Sequence, residues 1–322
     1  MDTVSVLLFS SDAQALRQRL PPLPDGVTIV SCAPRHAAPE HLAAAVAIAG
    51  YSEDIPMGVY RHAPKLRWIH LFNIGLDKFL DTHTVPEHIA LTNSRGVGAG
   101  AMADHALMLM LAFSRSLVHW VQQQQRGLWE RAQYGHMVTL EGRTIGILGF
   151  GAIGRQVARR ARGFGMRVLA TRRATIAGPQ RGDPDADALL PMGAMLAASD
   201  FVVIAAPLTA ETNGLVNADA LQRMKPTTYL INLARGRIVV ETALVAALAG
   251  GRLAGAGLDV FETEPLPAHS PLWTMPNVVI TPHVSAGSTT VMDETADLWS
   301  KNLEKFIAHE PLLTLVTPSR GY

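Results

Sequence analysis

Three side chains in the C-terminal half have the types that carbonyl chemistry needs. They are Arg235 in Asn232-Leu-Ala-Arg-Gly236, Glu264 in Asp259-Val-Phe-Glu-Thr-Glu-Pro265, and His283 in Thr281-Pro-His-Val-Ser285. An arginine fork fixes a carboxylate through two parallel hydrogen bonds. A histidine gives up or takes a proton near neutral pH, and a carboxylate beside it holds and stabilises the imidazolium. Singly, each has an ordinary explanation: the chain has 12 histidines, an arginine beside a glycine suits a surface loop, and Glu264 before Pro265 suits a turn. As a set, each at the end of a predicted strand, they point to reduction of a carbonyl that sits next to a carboxylate.

The element that must position them begins upstream, at Thr144-Ile-Gly-Ile-Leu-Gly-Phe-Gly-Ala-Ile-Gly-Arg155. An apolar strand runs into Gly149-Phe-Gly-Ala-Ile-Gly154, and a helical pattern follows. Gly149 suits a tight turn, Gly151 lets backbone approach a pyrophosphate, and Gly154 lets the helix sit close on the sheet. The helix start then offers N–H groups and a positive dipole end to phosphates. A glycine motif alone is a weak signal; strand before and helix after make it a dinucleotide corner.

At 322 residues two domains are expected. The formal charge of +1 gives no support to a nucleic-acid or membrane-surface role. One cysteine, Cys32, excludes an intrachain disulfide and agrees with a reducing compartment. The N-terminus carries Asp2 where a signal peptide needs positive charge. The apolar run Ala106 to Phe113 is far short of the roughly 20 residues of a membrane span. These features predict a cytoplasmic protein. The histidines show no metal-ligand spacing, so no metal is expected.

Alternating strands and helices over residues 1–99 predict a small doubly wound domain with a parallel sheet. Residues 100–288 hold a complete nucleotide domain, and a closing helix over Thr289 to His309 is expected to return residues 289–322 to the first. Two crossings of this kind suit a hinge over a cleft. One long helix is predicted from Ala101 to about Gln125, as core or interface.

With these motifs in place, the chain resembles the D-isomer-specific 2-hydroxyacid dehydrogenases, of the glyoxylate/hydroxypyruvate reductase type, over most of its length. The resemblance rests on Gly149–Gly154, Ala206-Pro-Leu-Thr209 with Thr212, Asn232–Gly236, Gly257–Glu262 with Glu264-Pro265, and Thr281-Pro-His283. It implies a Rossmann domain plus a smaller flavodoxin-like substrate domain. It implies that His283 donates the proton, that Glu264 is its partner, and that Arg235 binds the 2-oxo acid. Ile74 and Gly75 match a loop whose N–H groups hold the same carboxylate. Gly149, Gly151, Ala152, Ile153, Gly154, Ala206, Pro207, Thr212, Leu233, Ala234, Arg235, Asp259 and His283 match cofactor positions. The family's dimer-forming region corresponds to the long helix and the segment with Trp120 and Trp129, which implies a homodimer.

One departure from the family pattern concerns the cofactor. Members that use NAD place an aspartate after the second strand, where this chain reads Val168-Leu-Ala-Thr-Arg-Arg173. Arg172 and Arg173 would attract a 2′-phosphate, so NADP(H) is expected over NAD(H), which remains possible. The other reading is a solvated basic loop continuous with Arg155, Arg159, Arg160 and Arg162. A second departure is Asp104-His105 where the family has Glu-His, taken as a helix-start or packing feature. A glutamate beside the histidine argues against formate oxidation, which pairs it with glutamine. A phosphoglycerate-dehydrogenase-like enzyme, a phosphite oxidase and a nucleotide-sensing corepressor share the scaffold and stay open.

Overall fold

The computed structural model describes residues 4–131, 134–173 and 183–318. The sequence also reads as a loop around Gly178 to Pro184, which lies outside these residues up to 182. The chain divides into two compact units, Met1–Gly98 with Ser288–Tyr322, and Ala99–Gly287.

In the first unit, short apolar runs alternate with turn-flanked helices, the pattern of parallel strands buried on both faces. Five strands, β1 (Val4–Phe9), β2 (Val27–Cys32), β3 (Ala45–Gly50), β4 (Trp68–Leu71) and β5 (Ala90–Asn93), form a parallel sheet in the order β2-β1-β3-β4-β5. That is the flavodoxin-like order. Helices α1 (Ala13–Arg19), α2 (Pro39–Ala44) and α3 (Asp77–Thr82) belong to this unit.

The closing helix, here Val291–Ile307, packs on the same sheet. Its Trp299 is fully buried and meets Phe72 edge-on, with ring centroids 5.6 Å apart, while Arg19 of α1 pairs with Asp293 at 2.8 Å. Each large apolar side chain buried in this way contributes about 1.5–3 kcal/mol. Beyond it, the Val316 N–H donates to the Leu91 carbonyl at 2.8 Å, so the returning segment lies along β5.

Among the described residues the second unit has seven parallel strands. They are β6 (Thr144–Leu148), β7 (Arg167–Thr171), β8 (Ala188–Leu189), β9 (Phe201–Ile204), β10 (Tyr229–Asn232), β11 (Gly255–Leu258) and β12 (Val278–Ile280), in the order β12-β11-β10-β9-β6-β7-β8. This is the Rossmann order with one further strand, and it reverses between β6 and β9. Ligands bind such sheets at the carboxyl ends of the strands beside that reversal. The glycine motif, Ala206 and the Asn232–Gly236 loop follow β6, β9 and β10 directly.

The helix expected from Ala101 to Gln125 is two helices, α4 (Ala99–Ser114) and α5 (Leu117–Gln125), bent by 69° at the break. Ser116 stands between them in the left-handed region at φ 54°, and the Ser114 hydroxyl donates back to the Leu111 carbonyl. Serine side chains compete with the backbone ladder in this way, a breaker that is easily missed when no proline or glycine marks it. α4 is core: Ala103, Ala106, Leu109 and Met110 are fully buried. Among the described residues no single helix is long and apolar enough to cross a membrane. The remaining helices are α6 (Ala152–Gly163), α7 (Met192–Ala198), α8 (Ala218–Arg223) and α9 (Glu241–Ala249), with the closing helix as α10.

Candidate active site

The glycine corner has the shape its sequence requires. Gly149 sits at φ 96°, and a β-carbon there would stand 2.5 Å from the Ala206 backbone. The turn out of β6 is thus pressed against the end of β9, where Ala206 is buried. A β-carbon on Gly154 would lie 2.3 Å from the Gly149 carbonyl, so α6 starts as close to the turn as backbone allows. Gly151 differs: nothing stands within 4 Å of the place its β-carbon would occupy. It is also the N-cap of α6 and has no side chain to cap the first turn. The N–H groups that begin α6, from Ala152 and Ile153, therefore face an open approach, which fits a pyrophosphate.

After β9 the chain is closed on itself at Pro207–Thr212. The Thr212 hydroxyl donates to the Pro207 carbonyl at 2.7 Å and accepts the Thr209 N–H at 2.8 Å.

Arg235 is set by its neighbours on both sides. Asn232 bridges the loop after β10, accepting the Ala234 N–H at 3.1 Å and donating to the Arg235 carbonyl at 3.0 Å. Leu233 is buried beneath, with Ala234 half-buried. A β-carbon on Gly236 would fall 1.8 Å from the Phe261 carbonyl carbon. No side chain fits there, and the two loops carrying Arg235 and Glu264 lie backbone against backbone. Arg235 itself is half-buried, with one guanidinium nitrogen donating to the Ala234 carbonyl at 2.8 Å.

His283 and Glu264 meet. The Nδ1 of His283 lies 2.8 Å from Glu264 Oε2, and the other oxygen, Oε1, accepts the Phe261 N–H at 3.1 Å. A carboxylate only accepts, so Nδ1 carries the proton and Nε2 is left for a substrate. The His283 side chain is 43% exposed, as a group that must reach a ligand should be. Its backbone is in the left-handed region at φ 55°, disfavoured for any residue with a β-carbon.

Asp259 supplies the counter-hold. Fully buried after β11, it accepts the Thr281 hydroxyl at 2.6 Å and the Val284 and Ser285 N–H groups at 2.9 Å each. Burial pushes its pKa up, but the hydrogen bonds from Ser285, Thr281 and the backbone outweigh that and leave it below the usual carboxylate range.

The arginines of α6 are not part of a free basic surface. Arg155 forks onto Asp183 with two bonds of 2.7 Å, Arg159 onto Asp185 at 2.9 and 3.1 Å, and Arg162 reaches Asp187 at 2.7 Å. Arginines at helical spacing thereby match alternate residues of the turn that leads into β8. Arg160 turns the other way, to Asp104 of α4. The helix arginines that would continue a basic surface from Arg172 and Arg173 each face a carboxylate. Arg172 and Arg173 are exposed just past β7, and Arg173 pairs with Glu211.

In the smaller unit, Ile74 and Gly75 lie in the loop between β4 and α3. The Asn93 side chain donates to the Ile74 carbonyl at 2.7 Å, and the Asn73 side chain accepts the Ser52 N–H at 2.6 Å. The loops leaving β3 and β4 are thus laced together at the carboxyl end of their sheet.

Comparison with known proteins agrees with this geometry. Residues 107–285 match the model of the D-isomer specific 2-hydroxyacid dehydrogenase NAD-binding domain. Glyoxylate reductase of Pyrococcus furiosus is 39% identical over 82% of this chain and 80% of its own. The chain belongs to the D-isomer specific 2-hydroxyacid dehydrogenases. A member from Xanthobacter autotrophicus Py2, solved with NADPH and MES, superposes with a TM-score of 0.82 at 29% identity, over 99% of this chain and all of that one. An NADPH-dependent glyoxylate/hydroxypyruvate reductase from Sinorhizobium meliloti, solved with NADP and sulfate, gives 0.82 at 25% identity over both full chains.

For a 2-hydroxyacid dehydrogenase of this kind, the sequence under-reads two residues. Asp104 does not start a helix: α4 begins at Ala99, and Asp104 pairs with Arg160 across to α6. His105, assigned with it to packing, has its Nε2 3.0 Å from the Thr281 hydroxyl and 3.9 Å from Asp259. The only available signal was its place beside an acid on an otherwise apolar helix.

Proposed function

We propose that this dehydrogenase reduces a small 2-oxo acid, such as glyoxylate or hydroxypyruvate, to the D-2-hydroxy acid, with NADPH preferred to NADH. The observation that carries the reading is the His283–Glu264 pair at 2.8 Å, which leaves His283 Nε2 exposed in the same unit as a positioned Arg235. Arg235 binds the substrate carboxylate and polarises its carbonyl, and the loop with Ile74 and Gly75 carries backbone N–H groups of the kind that hold a carboxylate. His283 acts as the imidazolium: it delivers its Nε2 proton to the carbonyl oxygen as that oxygen becomes a hydroxyl, and it returns to the neutral Nδ1–H ring held by Glu264. The bound nicotinamide supplies the hydride. Gly149 to Gly154 would hold its pyrophosphate, with Ala206, Pro207, Thr212, Leu233, Ala234 and Asp259 around the ribose and nicotinamide.

Preference for NADPH is supported by Arg172 and Arg173, which follow β7 at the position where NAD-using members of the family place an aspartate. A 2′-phosphate there gains charge-assisted hydrogen bonds of about 1.5–3 kcal/mol each, so kcat/KM should favour NADPH by about 10-fold or more. Steady-state kinetics with both cofactors and a panel of 2-oxo acids tests both parts. Equal or better kcat/KM with NADH would remove the preference. Tight NADPH binding without turnover of any 2-oxo acid would favour a nucleotide-sensing role.

The lone buried Cys32 suits a reducing, cytoplasmic setting. A homodimer is supported by the apolar groups exposed on α4, α5 and the segment after them: Met108, Leu117, Val121, Leu128 and Trp129, the last 96% exposed. Sedimentation at micromolar concentration should show a dimer, and Trp129→Glu should weaken it. A wild-type monomer would rule it out.

A further inference from the structure

The left-handed backbone of His283 needs something to hold it, and one buried residue does so. The Asp259 carbonyl accepts the His283 N–H at 2.8 Å, and its carboxylate takes the next two N–H groups in the chain. Three consecutive amides are pinned to Asp259. The orientation of that carboxylate thus governs the turn from which the imidazole projects.

Two side chains complete the arrangement. Thr281 Oγ1 lies 2.6 Å from Asp259 Oδ1, and His105 Nε2 lies 3.0 Å from the same Oγ1. An ionised carboxylate only accepts, so the Thr281 proton is committed to Asp259. Toward His105 the hydroxyl oxygen can then only accept. His105 must carry its proton on Nε2, and the sequence of donors runs from His105 to Thr281 to Asp259. Burial lowers the His105 pKa, with the Asp259 charge opposing, which agrees with a neutral ring of one tautomer.

We propose that His105 and Thr281 are positioning residues, a two-step donor chain that locks the Asp259 carboxylate and through it aims His283. The proposal rests on His283 being the proton donor. α4 supplies His105, so the chain ties the half-exposed His283 to a helix whose inner face is core.

Nitrogen NMR of the wild-type protein should find His105 in the Nε2–H tautomer; an Nδ1–H ring would overturn the chain. Thr281→Val, which removes the hydroxyl at constant shape, should lower kcat by about 10–100-fold, as misplacement near 1 Å does, while KM for the oxo acid changes little. Thr281→Ser should recover most of that loss, and adding His105→Phe to Thr281→Val should cost little more. Thr281→Ser as slow as Thr281→Val would overturn the proposal. So would wild-type kcat in Thr281→Val where His283→Gln is inactive. Failure of His283 as donor appears separately, as turnover surviving in His283→Gln.

Discussion

Replacing His283 with glutamine should lower kcat for 2-oxo acid reduction by about 10²–10⁴-fold, the usual weight of a positioned general acid. Glutamine keeps a polar end near the Glu264 carboxylate but has no proton to give at neutral pH. Glu264 Oε2 stands 2.8 Å from the ring, and Oε1 is held by the Phe261 N–H, so the pair has a fixed geometry for the amide to inherit. NADPH affinity, measured by fluorescence titration, should change by less than about 3-fold, because the glycine corner is untouched. Wild-type kcat in this variant would mean that the proton comes from elsewhere.

Arg235→Lys should be nearly as damaging, although charge is conserved. Lysine offers a single ammonium where the guanidinium offers a planar fork, so bidentate binding of a carboxylate is lost. Losing one such bond costs about 1.5–3 kcal/mol, equivalent to roughly 10–150-fold in kcat/KM for the oxo acid. Misaimed polarisation of the carbonyl adds to it. The loss should fall on kcat as well as KM, since the contact strengthens as the carbonyl oxygen gains charge. A change confined to cofactor KM would place Arg235 outside the substrate site. The loop tolerates the exchange sterically: the close backbone contact with Phe261 is made by Gly236, and Arg235 is half-buried.

Parallel sheets are legible where their strands are short, continuous apolar runs, as at Phe201–Ile204 and Val4–Phe9. Arg235, Glu264 and His283 stand out because each follows a strand of the second sheet. What escaped the sequence depends on distance along the chain. His105 and Thr281 are 176 residues apart, and nothing local links them. The break at Arg115–Ser116 escaped because serine is only a weak helix breaker, and its effect shows in the backbone rather than in the pattern. The pairing of Arg155, Arg159 and Arg162 with Asp183, Asp185 and Asp187 combines two different periods, each unremarkable alone.

That pairing has a consequence for how the protein meets its cofactor in solution. Four arginines on α6 face four aspartates, so the helix presents matched charge rather than a long-range positive field. A dianionic phosphate drifting past is not captured along the helix flank, where it would be held in an unproductive place. Arg173 is matched in the same way by Glu211, so on this edge the approach is left to the N–H groups at the helix start. Ionic neutralisation along one edge thus works as a spatial filter, and it concentrates encounter at the spot where binding leads onward.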